Sequence, residues 1–300
     1  LDFFGGTLSG IRAKLSYLKE LGATALYLNP IFYARTNHRY DTNDYRRVDP
    51  WLGDEGDFAR LCQEAEALGI RVLLDGVFSH TGADSEYFRQ AQRDQSAPTF
   101  GWYRFSHWPD RYESWWGFQT LPETNELDPG FLRFILTGND AVIPHWLRAG
   151  AGGWRLDVAD ELPMPFLRML RETAKCAKPD AALIGEVWED ASNKISYGEL
   201  RSYCLGDTLD SVMNYPLRDA LVAFLTGAID ANNTARRINA LYEQYPKPFA
   251  HALMNLLGSH DRPRILNILA GVTGETLSRT EQGKLRLTQA QRALGLSRLR

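Results

Sequence analysis

Apolar residues recur along the chain with two alternating periods. Leu8, Ile11, Leu15 and Leu18 keep helical spacing, Gly22 follows as a C-terminal breaker, and residues 25–29 (Ala-Leu-Tyr-Leu-Asn) read as a buried strand. The same unit returns with Phe58, Leu61, Ala65 and Leu68, then Gly69, then a strand over residues 71–77. A helix around His145–Arg148 precedes a third strand over 153–158, and a helix over 166–177 precedes a fourth over 182–187. Two further strands are predicted at 211–214 and 252–257, separated by helical segments between 217 and 244. Continuous apolar strands alternating with amphipathic helices imply a parallel sheet covered on both faces.

Residues 81–140 break this rhythm, with Trp102, Trp108, Trp115, Trp116 and Pro98, Pro109, Pro122, Pro129 set in a polar stretch of little period. A segment that long is expected to be functional or a small subdomain, here an excursion from the end of the second strand. The predicted organisation is a first part of the fold over 1–80, an inserted subdomain over 81–140, and the remainder over 141–300. An open dinucleotide-binding sheet does not fit, because Gly150-Ala-Gly-Gly153 precedes its strand instead of following one and opening a helix. A (β/α)8 barrel places functional side chains at the C-terminal ends of several strands, and Asp75, Asp157, Glu186 and Asp261 stand at four such ends. Closure takes eight strands and the pattern supplies six, so the expectation is a barrel truncated to about six strands, without its first and last. A polar, turn-rich stretch over 271–284 and a helix-like stretch over 286–300 complete the pattern.

Composition narrows the function classes. The 300 residues, 44% hydrophobic and 24% charged, suit a globular core, and a net charge of −3 argues against nucleic-acid or anionic-membrane partners. No apolar run approaches the roughly 18 residues of a membrane span. Cys62, Cys176 and Cys204 have neither metal nor redox spacing and are expected to be reduced, which points to a cytoplasmic protein. No strand carries His-x-His or another clustered ligand spacing, so no metal site is predicted.

The candidate chemistry begins with Arg155 and Asp157, two residues apart on one strand and therefore on one face. A guanidinium beside a carboxylate keeps it ionised and oriented, as a nucleophile requires, although a structural ion pair satisfies the same spacing. Glu186 lies within an apolar strand, where desolvation raises a carboxyl pKa toward that of a general acid; a buried, paired glutamate is the alternative. Asp261, after Ser259-His260, reads alone as a turn residue. Together the three meet the demand of glycoside hydrolysis. It needs two carboxyl groups flanking the scissile bond, roughly 5–5.5 Å apart when configuration is retained, and gains from a third that holds the distorted sugar.

Four ordered motifs resemble the signature regions of the α-amylase superfamily: Asp75-Gly-Val-Phe-Ser-His80, Gly153-Trp-Arg-Leu-Asp-Val-Ala-Asp-Glu161, Gly185-Glu-Val-Trp188 and Leu257-Gly-Ser-His-Asp-Arg-Pro-Arg264. The resemblance covers nearly the whole chain. Asp2-Phe-Phe-Gly-Gly6, Asn37-His-Arg-Tyr-Asp-Thr42 and Val212-Met-Asn-Tyr-Pro216 make it most similar to the neopullulanase, cyclomaltodextrinase and maltogenic amylase group. It implies Asp157 as nucleophile, Glu186 as acid/base and Asp261 as transition-state stabiliser, with Arg155 orienting Asp157. It also implies a substrate-binding set: His80 and His260 bonding the glucose ring, Tyr40 stacking on it, His38 on the same rim, Asp75 in the first motif, Trp188 as an aromatic wall on the leaving-group side, and Arg264 anchoring the next sugar. The implied reaction is retaining hydrolysis of α-glucosidic bonds, mainly α-1,4 with α-1,6 as a second linkage, in maltodextrins, cyclodextrins or pullulan. A transglycosylase or isomerase using the same glycosyl-enzyme, and a non-catalytic glucan-binding relative, stay as alternatives.

Three positions depart from the family pattern. Ser79 stands where the family usually has an asparagine that in many members helps bind a structural calcium; no cofactor is implied as required, and calcium is left open. Leu121-Pro-Glu-Thr-Asn125 replaces Met-Pro-Lys-Leu-Asn, and Arg262 replaces a usual threonine. The N-terminal module through which members of the group commonly dimerise is not recognisable here, so a homodimer is an expectation only for a full-length protein.

Overall fold

A computed structural model describes residues 3–274 and 276–300. Asp2 of the N-terminal phrase and Glu275 of the polar stretch lie outside them. The chain divides into two compact units, one of Leu1–Glu186 with Ile195–Asp210, the other of Val187–Lys194 with Ser211–Arg300.

The first unit contains four parallel strands: β1 (Ala25–Tyr27), β2 (Arg71–Gly76), β3 (Gly153–Leu156) and β4 (Ala182–Gly185). β1 pairs with β2, β2 with β3 and β3 with β4, in a register that sets Asp75 opposite Arg155 and Tyr27 opposite Leu73. Helices Glu55–Ala67, Val142–Arg148 and Met164–Ala177 lie where the helical spacing predicts them. Asp54 caps the first through a reciprocal capping box with Asp57. The N-terminal pattern forms two short helices, Leu8–Arg12 and Leu15–Glu20, in place of one. Between them the Lys14 N–H bonds to the Ile11 carbonyl at 2.8 Å, a tightened turn that still buries both Leu8 and Leu15.

Large aromatic side chains fill the core of this unit. Trp146 meets Phe32 at 5.1 Å and Phe58 edge-on at 5.2 Å, and its indole N–H donates to the Tyr45 carbonyl. Tyr45 lies on a hairpin strand, Thr42–Val48, paired with Phe32–Ala34. Its hydroxyl donates to the Val77 carbonyl at 2.7 Å and lies 3.2 Å from that of His80, which fixes the chain leaving β2. Within 81–140, helix Glu86–Arg93 is capped by Ser85 and packs Phe88 against Tyr103 and Tyr112. Trp102 is buried against Phe131, whereas Trp116 is 75% exposed.

The second unit holds β5 (Ser211–Asn214) and β6 (Met254–Asn255), paired in parallel with Asn214 opposite Asn255. β6 is shorter than the apolar run over 252–257, because helix Lys247–Ala252 takes its first residue. Helices Tyr215–Leu225, Ala231–Gln244 and Gln289–Leu299 complete the alternation. The six strands, four in one unit and two in the other, match the number read from the sequence and are those of a barrel-type α/β fold. Among the described residues no helix is long and apolar enough to cross a membrane.

Candidate active site

The C-terminal ends of β1 to β4 converge on one guanidinium. The Arg155 Nη1 lies 2.8 and 3.0 Å from the two Asp75 oxygens and 2.7 Å from the Asp157 Oδ1, and Nη2 lies 2.8 Å from the Glu186 Oε1. Register explains the meeting: Asp75 faces Arg155 across β2 and β3, and Asp157 follows on the same face of the chain. Arg155 and Asp75 are each 1% exposed, so this is a desolvated ion cluster. Three carboxylates share one cation. Burial pushes the Asp157 carboxyl well above the usual carboxylate range, and Asp75 and Glu186 add to the rise while Arg155 opposes it. The sequence pairs Arg155 with Asp157 alone; the structure divides its charge among three partners, which is why burial prevails.

Asp75 is further held by two tyrosines. Tyr27 donates to its Oδ2 at 2.5 Å and Tyr40 to the same oxygen at 2.8 Å. Burial and the Asp75 charge push both phenols up, so both remain donors. Asp75, in the substrate-binding set by resemblance, has its carboxylate enclosed by Arg155, Tyr27 and Tyr40, a position beneath Tyr40. Tyr27 was not singled out from the sequence. The available signal was a hydroxyl-bearing residue inside an otherwise apolar strand. Tyr40 is carried on a loop pinned by the buried Arg39–Asp49 pair at 2.8 Å, and the exposed His38 accepts the Tyr40 N–H through Nδ1 at 3.1 Å.

Asp157 is followed by a strained residue. Val158 has φ +38° and ψ 54°, a left-handed conformation rare for a β-branched side chain. In that conformation its N–H donates to the Glu186 Oε2 at 2.9 Å, tying the backbone beside Asp157 to Glu186. His80 is 2% exposed, and burial brings its pKa down to about 4, leaving a neutral ring at neutral pH. Ser79 Oγ lies 2.9 Å from His80 Nδ1, so the residue that departs from the family asparagine contacts this ring. Beside it, Trp115 lies 5.3 Å from His80 and stacks on Trp116, and both indoles donate to Glu161, at 2.7 and 2.9 Å.

The second unit carries the other candidates. His260 Nε2 lies 3.2 Å from the Asp261 carboxylate, and Asp261 N–H donates to Ser259 Oγ at 3.2 Å. Both acid and imidazole are exposed, as is Arg264. Trp188 is half-buried and stacks on Tyr215 with centroids 4.3 Å apart and planes 2° from parallel. Arg262 sits against both rings. Among the described residues no three His, Cys, Asp or Glu side chains group as a metal site would.

Comparison with known proteins gives the family. The family description "Alpha amylase, catalytic domain" matches residues 3–292. An amylopullulanase of Thermoanaerobacter thermohydrosulfuricus is 40% identical over 89% of this chain and 20% of its own length. A cyclomaltodextrinase of Geobacillus thermopakistaniensis is 37% identical over 90% of this chain and 45% of its own. The chain thus spans less than half the length of these relatives. Among solved structures, a cyclic α-maltosyl-(1→6)-maltose hydrolase from Arthrobacter globiformis in complex with maltose superposes with a TM-score of 0.83 at 36% identity, covering 90% of this chain and 61% of that one. The chain belongs to the α-amylase family, and its relatives include cyclomaltodextrinases, a neopullulanase and maltogenic amylases, the group that its motifs resemble.

Proposed function

We propose that this chain carries the retaining hydrolytic site for α-glucosidic bonds, mainly α-1,4, in maltodextrins, cyclodextrins or pullulan. Asp157 attacks the anomeric carbon while Glu186 gives its proton to the departing glycosidic oxygen, leaving a glycosyl ester on Asp157. Glu186, now a carboxylate, takes a proton from water; that water displaces Asp157 and releases the sugar with its configuration retained. The neutral His80 and Tyr40 of the first unit hold the sugar, with His38 on the rim; the roles of Asp261 and His260 toward the sugar, and of Trp188 and Arg264 toward the leaving group, are those that the family resemblance implies.

The observation that carries this reading is the Arg155 guanidinium, which donates to Asp157 at 2.7 Å and forms an ion pair with Glu186 at 2.8 Å. One cation thus draws to itself both carboxyl groups that the retaining mechanism pairs. The same crowding makes one shared proton favourable, and the proposed mechanism requires it on Glu186 so that Asp157 is free to attack. Cys62 and Cys204 are buried and Cys176 is exposed, and no disulfide joins described residues, which supports a reducing compartment. Maltodextrin cleavage by Asp157→Asn and Glu186→Gln tests the assignment, and losses of about 10³-fold or more are expected. Glu186→Gln should still be glycosylated by α-maltosyl fluoride, whose leaving group needs no proton. Unchanged maltodextrin rates in either variant overturn the roles. Excess maltose as acceptor separates hydrolysis from glycosyl transfer.

A further inference from the structure

Arg262 is the residue of the fourth motif that departs from the family threonine, and its surroundings give it a use. Its guanidinium carbon lies 4.5 Å from the centroid of the Trp188 ring and 5.5 Å from that of Tyr215. The two rings are themselves parallel and 4.3 Å apart. A cation on the outer face of Trp188 would stand far more than 5.5 Å from Tyr215, so Arg262 abuts both rings of the stack at once. Among the described residues its carboxylate contact is a long one. Asp219 approaches only to 4.0 Å and is already paired with Arg218 at 2.6 Å. The Arg262 Nε is buried with no hydrogen-bond partner among the described residues, a cost accepted for contact with the rings. Pro263 restricts the backbone just after it. The Tyr215 hydroxyl lies 3.1 Å from Ser259 Oγ, which accepts the Asp261 N–H at 3.2 Å. Tyr215 therefore ties the loop carrying Asp261 and Arg262 to the ring beneath Trp188.

We infer that Arg262 is a positioning and specificity-determining residue: by packing its guanidinium along the edge of both rings it locks the Trp188 indole as a rigid platform for the sugar on the leaving-group side. A threonine does not have the reach to touch both rings. The guanidinium stays charged across the working pH range, so the lock does not titrate. This inference rests on the hydrolase reading, in which Trp188 faces the leaving group. A rigid platform spares the ordering cost that a mobile indole would charge against every leaving-group sugar, so the effect belongs in KM for substrates that own such a sugar.

The test compares Arg262→Thr and Arg262→Lys with the unaltered full chain on maltotetraose and on α-maltosyl fluoride, which has no leaving-group sugar. The expected result for Arg262→Thr is a KM for maltotetraose raised about tenfold, equivalent to about 1.4 kcal/mol, with kcat within threefold. Turnover of maltosyl fluoride should fall by less than threefold, and Arg262→Lys should lie between. Equal losses on both substrates, or none on either, overturn the inference. Calorimetry with maltotetraose in an Asp157→Asn background reads the platform without turnover, and there Arg262→Thr should weaken affinity about tenfold. Absent hydrolysis in the unaltered chain with that affinity difference intact sinks the hydrolase reading and keeps the role of Arg262 in glucan binding; equal affinities sink the role itself.

Discussion

One nitrogen of Arg155 bonds Asp157 at 2.7 Å and, on its other side, Asp75 at 2.8 Å, so the candidate nucleophile is held against a residue that never reaches solvent. Removing the cation leaves three carboxyl groups facing one another in a desolvated pocket. Arg155→Met should therefore cost about 3–5 kcal/mol of stability, the range for breaking a buried ion pair from one side. Urea denaturation at neutral pH measures it. A variant as stable as the parent would mean that the cluster is not ion-paired as described.

Tyr27 and Tyr40 donate to the same Asp75 oxygen, but they stand differently toward a substrate. Tyr27 is on β1 and Tyr40 is on a loop beside His38. Tyr27→Phe removes one charge-assisted hydrogen bond and should cost about 1.5–3 kcal/mol of stability while leaving KM unchanged. Tyr40→Phe should lower stability by a similar amount and also raise KM. Paired melting curves and kinetics on maltodextrin separate the two.

These tyrosines show where sequence reading stops. The strands were legible because four-residue apolar runs follow helix-and-glycine units, and Asp75, Asp157 and Glu186 were legible because each ends such a run. Their partners were not, since Tyr27 meets Asp75 across a strand pairing and the sharing of Arg155 depends on how β2, β3 and β4 align. Helix Glu86–Arg93 was hidden for another reason: it buries only Phe88 and Ala91, too few apolar positions to show a period. The stacked pair Trp115–Trp116 with Glu161 was likewise out of reach, because 46 residues separate the indole of Trp115 from its acceptor.

Val158 offers a test in which the usual ranking of small residues inverts. Glycine ordinarily costs about 0.5–1 kcal/mol relative to alanine through chain entropy. At φ +38° an alanine keeps the left-handed strain and a glycine sheds it. Val158→Gly should accordingly be more stable than Val158→Ala, by about 1 kcal/mol, while the N–H to Glu186 survives in both. Chemical denaturation of the two variants decides it, and alanine proving the more stable would show that no strain is stored beside Asp157.

Two buried groups make stability depend on pH in opposite directions. Burial brings the Glu126 carboxyl up to about 8 from an ordinary 4.5, so between those values the folded chain holds a proton that the unfolded chain has lost. Its contribution to stability therefore falls as pH rises from about 4.5 to 8. His80 is brought down to about 4 from 6.5, so between those values the unfolded chain holds the extra proton, and stability is lost as pH falls from about 6.5 toward 4. Between these two groups the slopes cancel over pH 4.5–6.5, and above 6.5 only the Glu126 share remains; the raised Asp157 carboxyl adds a decline of the same sign in the parent and in variants at either position. Relative to the parent, Glu126→Gln should make the decline between pH 6.5 and 8 shallower and the profile from pH 4.5 to 6.5 steeper in the rising sense. His80→Asn should do the reverse, giving a decline that begins near pH 4.5. Urea melts at half-unit pH intervals measure both slopes, each at most about 1.4 kcal/mol per pH unit for a single proton. Parallel profiles for the two variants would show that neither group is titrating from the buried position described for it.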